Sequence, residues 1–197
     1  HAATLFQNTA VTTINANCTF QCTGSIGAEN FSLTTGSSVT DFSFDTVMSN
    51  VNVLNGLTVA WGLHSAAPGT PGASILSGTT GVTTETLGSD SAYERVRFNV
   101  DIADTALAAG NYWLSLSLTT VNNGFDIYWL RATDGDALSA RSTDGGTTWS
   151  TPYASGTNNG LAFAINGTDI AAVPLPAGLP LLLAGLGAIA VVRRKKT

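Results

Sequence analysis

Tyr112-Trp113-Leu114-Ser115-Leu116-Ser117-Leu118 decides the fold. Leucine and serine alternate with the period of two that a β-strand shows when one face is buried and the other meets water. The same alternation runs through Thr40-Asp41-Phe42-Ser43-Phe44 and Leu57-Thr58-Val59-Ala60-Trp61-Gly62-Leu63. It returns in Glu94-Arg95-Val96-Arg97-Phe98-Asn99-Val100, Phe125-Asp126-Ile127-Tyr128-Trp129 and Leu161-Ala162-Phe163-Ala164-Ile165. Weaker strands are predicted at residues 4–7, 11–15 and 31–34. Turn signals separate the runs: Asn55-Gly56, Pro68-Gly69, Pro71-Gly72, Ala109-Gly110, Asn123-Gly124, Asp134-Gly135 and Asp144-Gly145-Gly146. Residues 102–108 alone have local helix-forming character, enough for a turn or two. Short strands, Gly/Asn/Asp turns and no helical layer predict an all-β chain, an antiparallel β-sandwich of jelly-roll type. It occupies residues 1–168 as one domain, with Asn166-Gly167-Thr168-Asp169 ending the last strand.

Charge divides the 197 residues unequally. Thirteen acids face eight basic residues for a net charge of −5, and only 11% of the chain is charged against 44% hydrophobic. Four of the cations are Arg193, Arg194, Lys195 and Lys196, so the body keeps Arg95, Arg97, Arg131 and Arg141 against all the acids, about −9. Nucleic acid is excluded as a partner, because phosphate binding needs basic patches. An acidic, Thr-rich body without lysine suits an extracellular protein.

Residues 169–197 form a second unit. Ala177 to Val192 are sixteen residues without a charge, about 24 Å as a helix against a hydrocarbon core of about 30 Å. Pro174, Pro176 and Pro180 favour an extended entry, so the span is short and helical mainly over residues 181–192. The basic cluster that follows acts as a cytoplasmic stop and places the body outside the cytoplasm. Val173-Pro174-Leu175-Pro176-Ala177, the apolar segment and the basic end resemble, in that order, the VPLPA-type PEP-CTERM sorting signals of Gram-negative surface proteins. The resemblance implies transient anchoring in the inner membrane, recognition by an exosortase near the Pro-containing motif, and release to the cell surface or extracellular matrix. The Thr/Gly-rich body is loosely similar to the β-sandwiches that carry such tails. Export also implies a leader ahead of His1, with His1-Ala2-Ala3 resembling the end of a cleavage region.

In an oxidising compartment Cys18 and Cys22 are expected to form a disulfide. An extended chain holds them about 13 Å apart, so Thr19-Phe20-Gln21 must turn to bring the Cα atoms within about 4.4–6.8 Å. Two cysteines without a nearby histidine fall short of a tetrahedral metal set.

Catalytic candidates are few. His64 falls on the face opposite Trp61 and is expected at a solvent-facing strand end; no G-x-S-x-G elbow accompanies it. Glu94, Asp126, Asp134 and Asp136 are the acids available for a glycosidase pair. An N-terminal His1 with His64 would resemble the copper brace of lytic polysaccharide monooxygenases. Thr133-Asp134-Gly135-Asp136 and Thr143-Asp144-Gly145-Gly146 offer oxygen ligands for structural calcium through Asp134, Asp136 and Asp144; no other cofactor is expected. Trp61 and Trp129 are in phase with the core. Trp113, Tyr128, Trp149 and Tyr153 remain as candidates for an aromatic platform that binds carbohydrate. The leading expectation is a non-enzymatic structural or adhesive surface protein in contact with exopolysaccharide. A carbohydrate-active enzyme, hydrolytic or copper-dependent, is the alternative.

Overall fold

Phe44 on one strand and Phe98 on the next stand directly opposite each other, their rings stacked at 5.1 Å, and two sheets close around this pair. The computed structural model describes residues 2–8, 25–49, 57–90, 93–119, 127–134, 138–151 and 160–170. Regular structure among them is entirely strand: β1 (Ala3–Asn8), β2 (Ile26–Leu33), β3 (Ser37–Met48), β4 (Thr58–Ala67), β5 (Thr70–Gly81), β6 (Thr83–Asp90), β7 (Tyr93–Leu107), β8 (Gly110–Thr119), β9 (Ile127–Trp129), β10 (Ala140–Ser142) and β11 (Phe163–Asp169). One sheet has the order β1-β11-β3-β7-β6, and the other β10-β2-β8-β4-β5. Every pairing is antiparallel. At Asp45 the neighbour of β3 changes from β11 to β9, with Asp45 N–H donating to Ala162 and Asp45 C=O accepting from Leu130.

The core lies where the alternation predicts it. Phe42, Phe44, Phe98, Val100, Leu63, Leu114 and Leu116 are fully buried in one cluster fed by both sheets. Trp61 of the five-stranded sheet meets Phe42 of the other edge-on at 6.0 Å, and Phe31 meets Phe163 in the same way at 6.2 Å. Such aromatic pairs add about 0.5–1.5 kcal/mol each beyond the area they bury. Trp129 is buried with its indole N–H satisfied by the Ala162 carbonyl at 2.7 Å.

Three local expectations are corrected. Residues 102–107 are strand and not helix: Leu107, Ala106 and Thr105 pair with Ser37, Ser38 and Val39, and Leu107 enters the core. Long-range pairing outweighs a weak Ala/Leu helix preference here. Pro71-Gly72 lies inside β5, and only Pro68-Gly69 makes the turn, with Gly69 at φ 71°. Since β5 is an edge strand, Pro71 takes no donor away from an interior ladder. Asn166-Gly167 does not end the last strand but forms a bulge inside β11, which continues to Asp169.

The strand at 11–15, the turns at Asn55-Gly56 and Asn123-Gly124, Cys18 and Cys22, and the tail from Val173 to the basic cluster lie outside the described residues. Among the described residues no helix is long and apolar enough to cross a membrane.

Candidate functional site

Because β4 and β8 turn Val59, Trp61, Leu63, Leu114, Leu116 and Leu118 inward, Gly62, His64, Ser115 and Ser117 stand on the outer face of the five-stranded sheet. Register makes Gly62 the direct partner of Ser115 and sets His64 opposite Trp113. His64 Nε2 lies 2.8 Å from Ser115 Oγ. The space for this contact is created by Gly62, where a Cβ would sit 2.7 Å from the ring nitrogen and 2.9 Å from the hydroxyl oxygen. Burial lowers the His64 pKa below its ordinary 6.5, partly offset by a hydrogen bond to the Gly72 backbone. Ser115 Oγ also donates to the Gly62 carbonyl at 3.4 Å, and the ring's tautomer sets which partner donates in the His64–Ser115 bond.

One wall is a self-tied loop. Arg141 and Ser150 exchange both main-chain hydrogen bonds, at 2.9 and 2.8 Å. Between them Asp144 Oδ1 accepts from Thr147 N, Thr148 N and Ser142 Oγ, and Oδ2 accepts from Thr148 Oγ1 at 2.6 Å. Hydrogen bonds from Thr148 chiefly, then Ser142, hold the Asp144 carboxyl down at about 2. Gly145 and Gly146 follow at φ 74° and 89°, a backbone that disfavours side chains. The loop thus presents Trp149 edge-on to His64, ring centroids 6.1 Å apart. Between this wall and β5 runs an open groove of about 350 Å³ whose lining includes His64, Ser74, Ser77, Ser115, Ser117 and Trp149. An aromatic wall, hydroxyls and an uncharged imidazole make a surface suited to sugar rings and their hydroxyl groups.

The expected aromatic platform is divided. Trp113 is only 2% exposed, packed under Trp149 with Ala28 and Ala140, and offers no face to a ligand. Tyr128 belongs to the other sheet, half-buried against Val47 and Leu130, and Tyr153 lies outside the described residues. Trp149 is the one candidate that reaches the groove among the described residues. His64, expected at an exposed strand end, is half-buried in the groove. Ser74, Ser77, Ser115 and Ser117 were not singled out by the sequence, because serine is common throughout it and only register selects these four.

Asp144 serves its own loop, Asp134 is exposed in a bend, and Asp136, Asp126 and His1 lie outside the described residues. Among the described residues no three potential ligands gather to hold a metal. Glu94 sits on β7. On the six-stranded sheet register sets Asp45 and Glu85 on either side of Arg97 and places Asp41 opposite Asp101. No protein-family model matches this chain, and comparison with curated proteins likewise gave no match.

Proposed function

We propose that this chain is an exported, non-enzymatic surface or matrix protein whose jelly-roll-like sandwich holds neutral exopolysaccharide in the Trp149 groove. In this reading the VPLPA-type tail, with its short apolar helix and basic stop, anchors the chain in the inner membrane until an exosortase removes it. The observation that carries the binding part is the groove itself. Trp149 is fixed in place by the loop tied at Asp144, opposite a row of hydroxyls and a neutral histidine. The acidic body, about −9 without the basic tail, favours a neutral over an anionic polymer.

Two measurements test the reading. A glycan array probed with the full chain should give signals that Trp149→Ala removes; signals indifferent to that change would remove the groove from the account. Mass spectrometry of the mature termini should find the chain ending near Val173 to Ala177, and an intact Thr197 on surface-released protein would defeat the sorting part.

A hydrolytic reading draws on the same Ser115–His64 hydrogen bond, which has the form of a nucleophile and its base. Against it, the ring's other described partner is the Gly72 backbone and not a carboxylate. Labelling of Ser115 by a fluorophosphonate would favour the enzyme.

A further inference from the structure

The outer face of the six-stranded sheet carries a second hollow, of about 240 Å³. Its register builds two polar rows across the strands. Glu85, Arg97 and Asp45 are successive cross-strand partners on β6, β7 and β3. One step along on the same face, Thr83, Asn99, Ser43, Ala164 and Gln7 form a row that crosses to β1. The short side chains Ser43 and Ala164 fall in the middle of this row, so longer groups surround a hollow whose lining is polar apart from Phe163 and Ala164.

Arg97 is held rigidly there. Its Nε and Nη2 donate to the two oxygens of Asp45 at 2.7 and 3.0 Å, a two-pronged geometry that fixes the guanidinium plane. That hydrogen bond, with the nearby charges of Asp45 and Glu85, raises the Arg97 pKa above its ordinary value. The fork uses both Asp45 oxygens, and among the described residues Nη1 has no hydrogen-bond partner. Glu85 is exposed, and its carboxylate faces the pocket as an acceptor with Asn99 and Gln7 as amide donors and acceptors nearby.

We propose that this pocket is a second saccharide site, and that the sandwich is a two-faced cross-linker of neutral polysaccharide chains. A carboxylate accepting two hydroxyl protons beside a fixed guanidinium N–H and side-chain amides is matched by the vicinal diol of a neutral hexose. One arginine between two carboxylates leaves the site net negative, which selects against uronic acids and sulfated sugars. The Trp149 groove and this pocket lie on the outward faces of opposite sheets. A short glycan cannot reach both, and two occupied faces join two polymer chains. The cross-linking role rests on the groove binding proposed above; the pocket as a site does not.

The test uses the full chain with three neutral polymers, dextran, laminarin and a galactomannan, measured by calorimetric titration and by turbidity. Wild type is expected to bind at both sites and to raise turbidity. Trp149→Ala is expected to keep about half the capacity and lose the turbidity. Glu85→Gln combined with Asn99→Ala should do the same, and the combination of all three should bind nothing, with circular dichroism confirming the fold of each. Pocket variants equal to wild type in capacity and turbidity would overturn the second site while leaving the groove in place. Binding that survives Trp149→Ala in full but vanishes with the pocket changes would overturn the groove and keep the second site. No binding of any of the three polymers overturns both.

Discussion

Ser115 on β8 and His64 on β4 meet at 2.8 Å across the position of Gly62, the one residue between them that lacks a side chain. A β-carbon at 62 would contact both polar atoms inside 3 Å. Both atoms are ends of side chains that can turn away, so Gly62→Ala is expected to displace the imidazole at a cost of no more than about 1 kcal/mol. Urea unfolding checks the cost. Glycan affinity should fall with it.

His64 gives the stability a defined pH slope. Its folded pKa lies below the 6.5 of the free side chain, chiefly because of burial. The unfolded chain therefore binds the proton more readily, and stability rises with pH across that interval. The contribution is complete above pH 6.5 and is lost as pH falls through the folded value. Unfolding free energies between pH 5 and 8 should show this slope in wild type, and His64→Gln should flatten it.

Asp144 is expected to act on binding more than on global stability. Its carboxyl, held at about 2, is fully exposed and ties only the loop that carries Trp149. The sign is that of a depressed acid: the tie is present above the ordinary 3.8 and lost as pH falls through about 2. Asp144→Ala should weaken glycan binding at pH 7 by about tenfold, with little change in melting temperature. Calorimetry of the variant checks both.

Phe44 tests the core. It stacks on Phe98 and meets Trp129 edge-on at 5.9 Å, and it is fully buried. Phe44→Ala should cost about 3–5 kcal/mol, seen as a lower denaturation midpoint.

Gly167 marks the bulge of β11. A β-carbon there would overlap the Ser38 carbonyl and crowd Leu5. Backbone cannot give way as a flexible side chain can, so Gly167→Ala should destabilise by at least about 1–3 kcal/mol, measurable by thermal unfolding.

The core strands were legible because large apolar residues mark their inward faces: Leu114, Leu116 and Leu118, or Val96, Phe98 and Val100, leave one assignment open. β5 and β6 were not legible. Thr70–Gly81 and Thr83–Asp90 are edge strands rich in Thr, Ser and Gly, and such strands carry no hydrophobic period to read. The groove was half legible. Trp149 stood out as an aromatic in a polar loop, and His64 as the body's lone histidine, but their meeting depends on the register of β4 with β8 and on a loop closed by Asp144. Trp113 misled for a related reason. Its phase correctly put it on the outer face, whereas its burial comes from the 142–150 loop folding over it, a tertiary event without a local signature. The pairing of Asp45 and Glu85 around Arg97 is likewise pure register.

The most direct test is calorimetric titration of the full chain and of Trp149→Ala with laminarin, dextran and galactomannan at pH 7.5. The account predicts saturable binding of at least one of these polymers by wild type, lost from the groove in Trp149→Ala while the melting temperature stays within a few degrees. Equal heats and affinities for the two proteins, or no binding by the wild type, would contradict it.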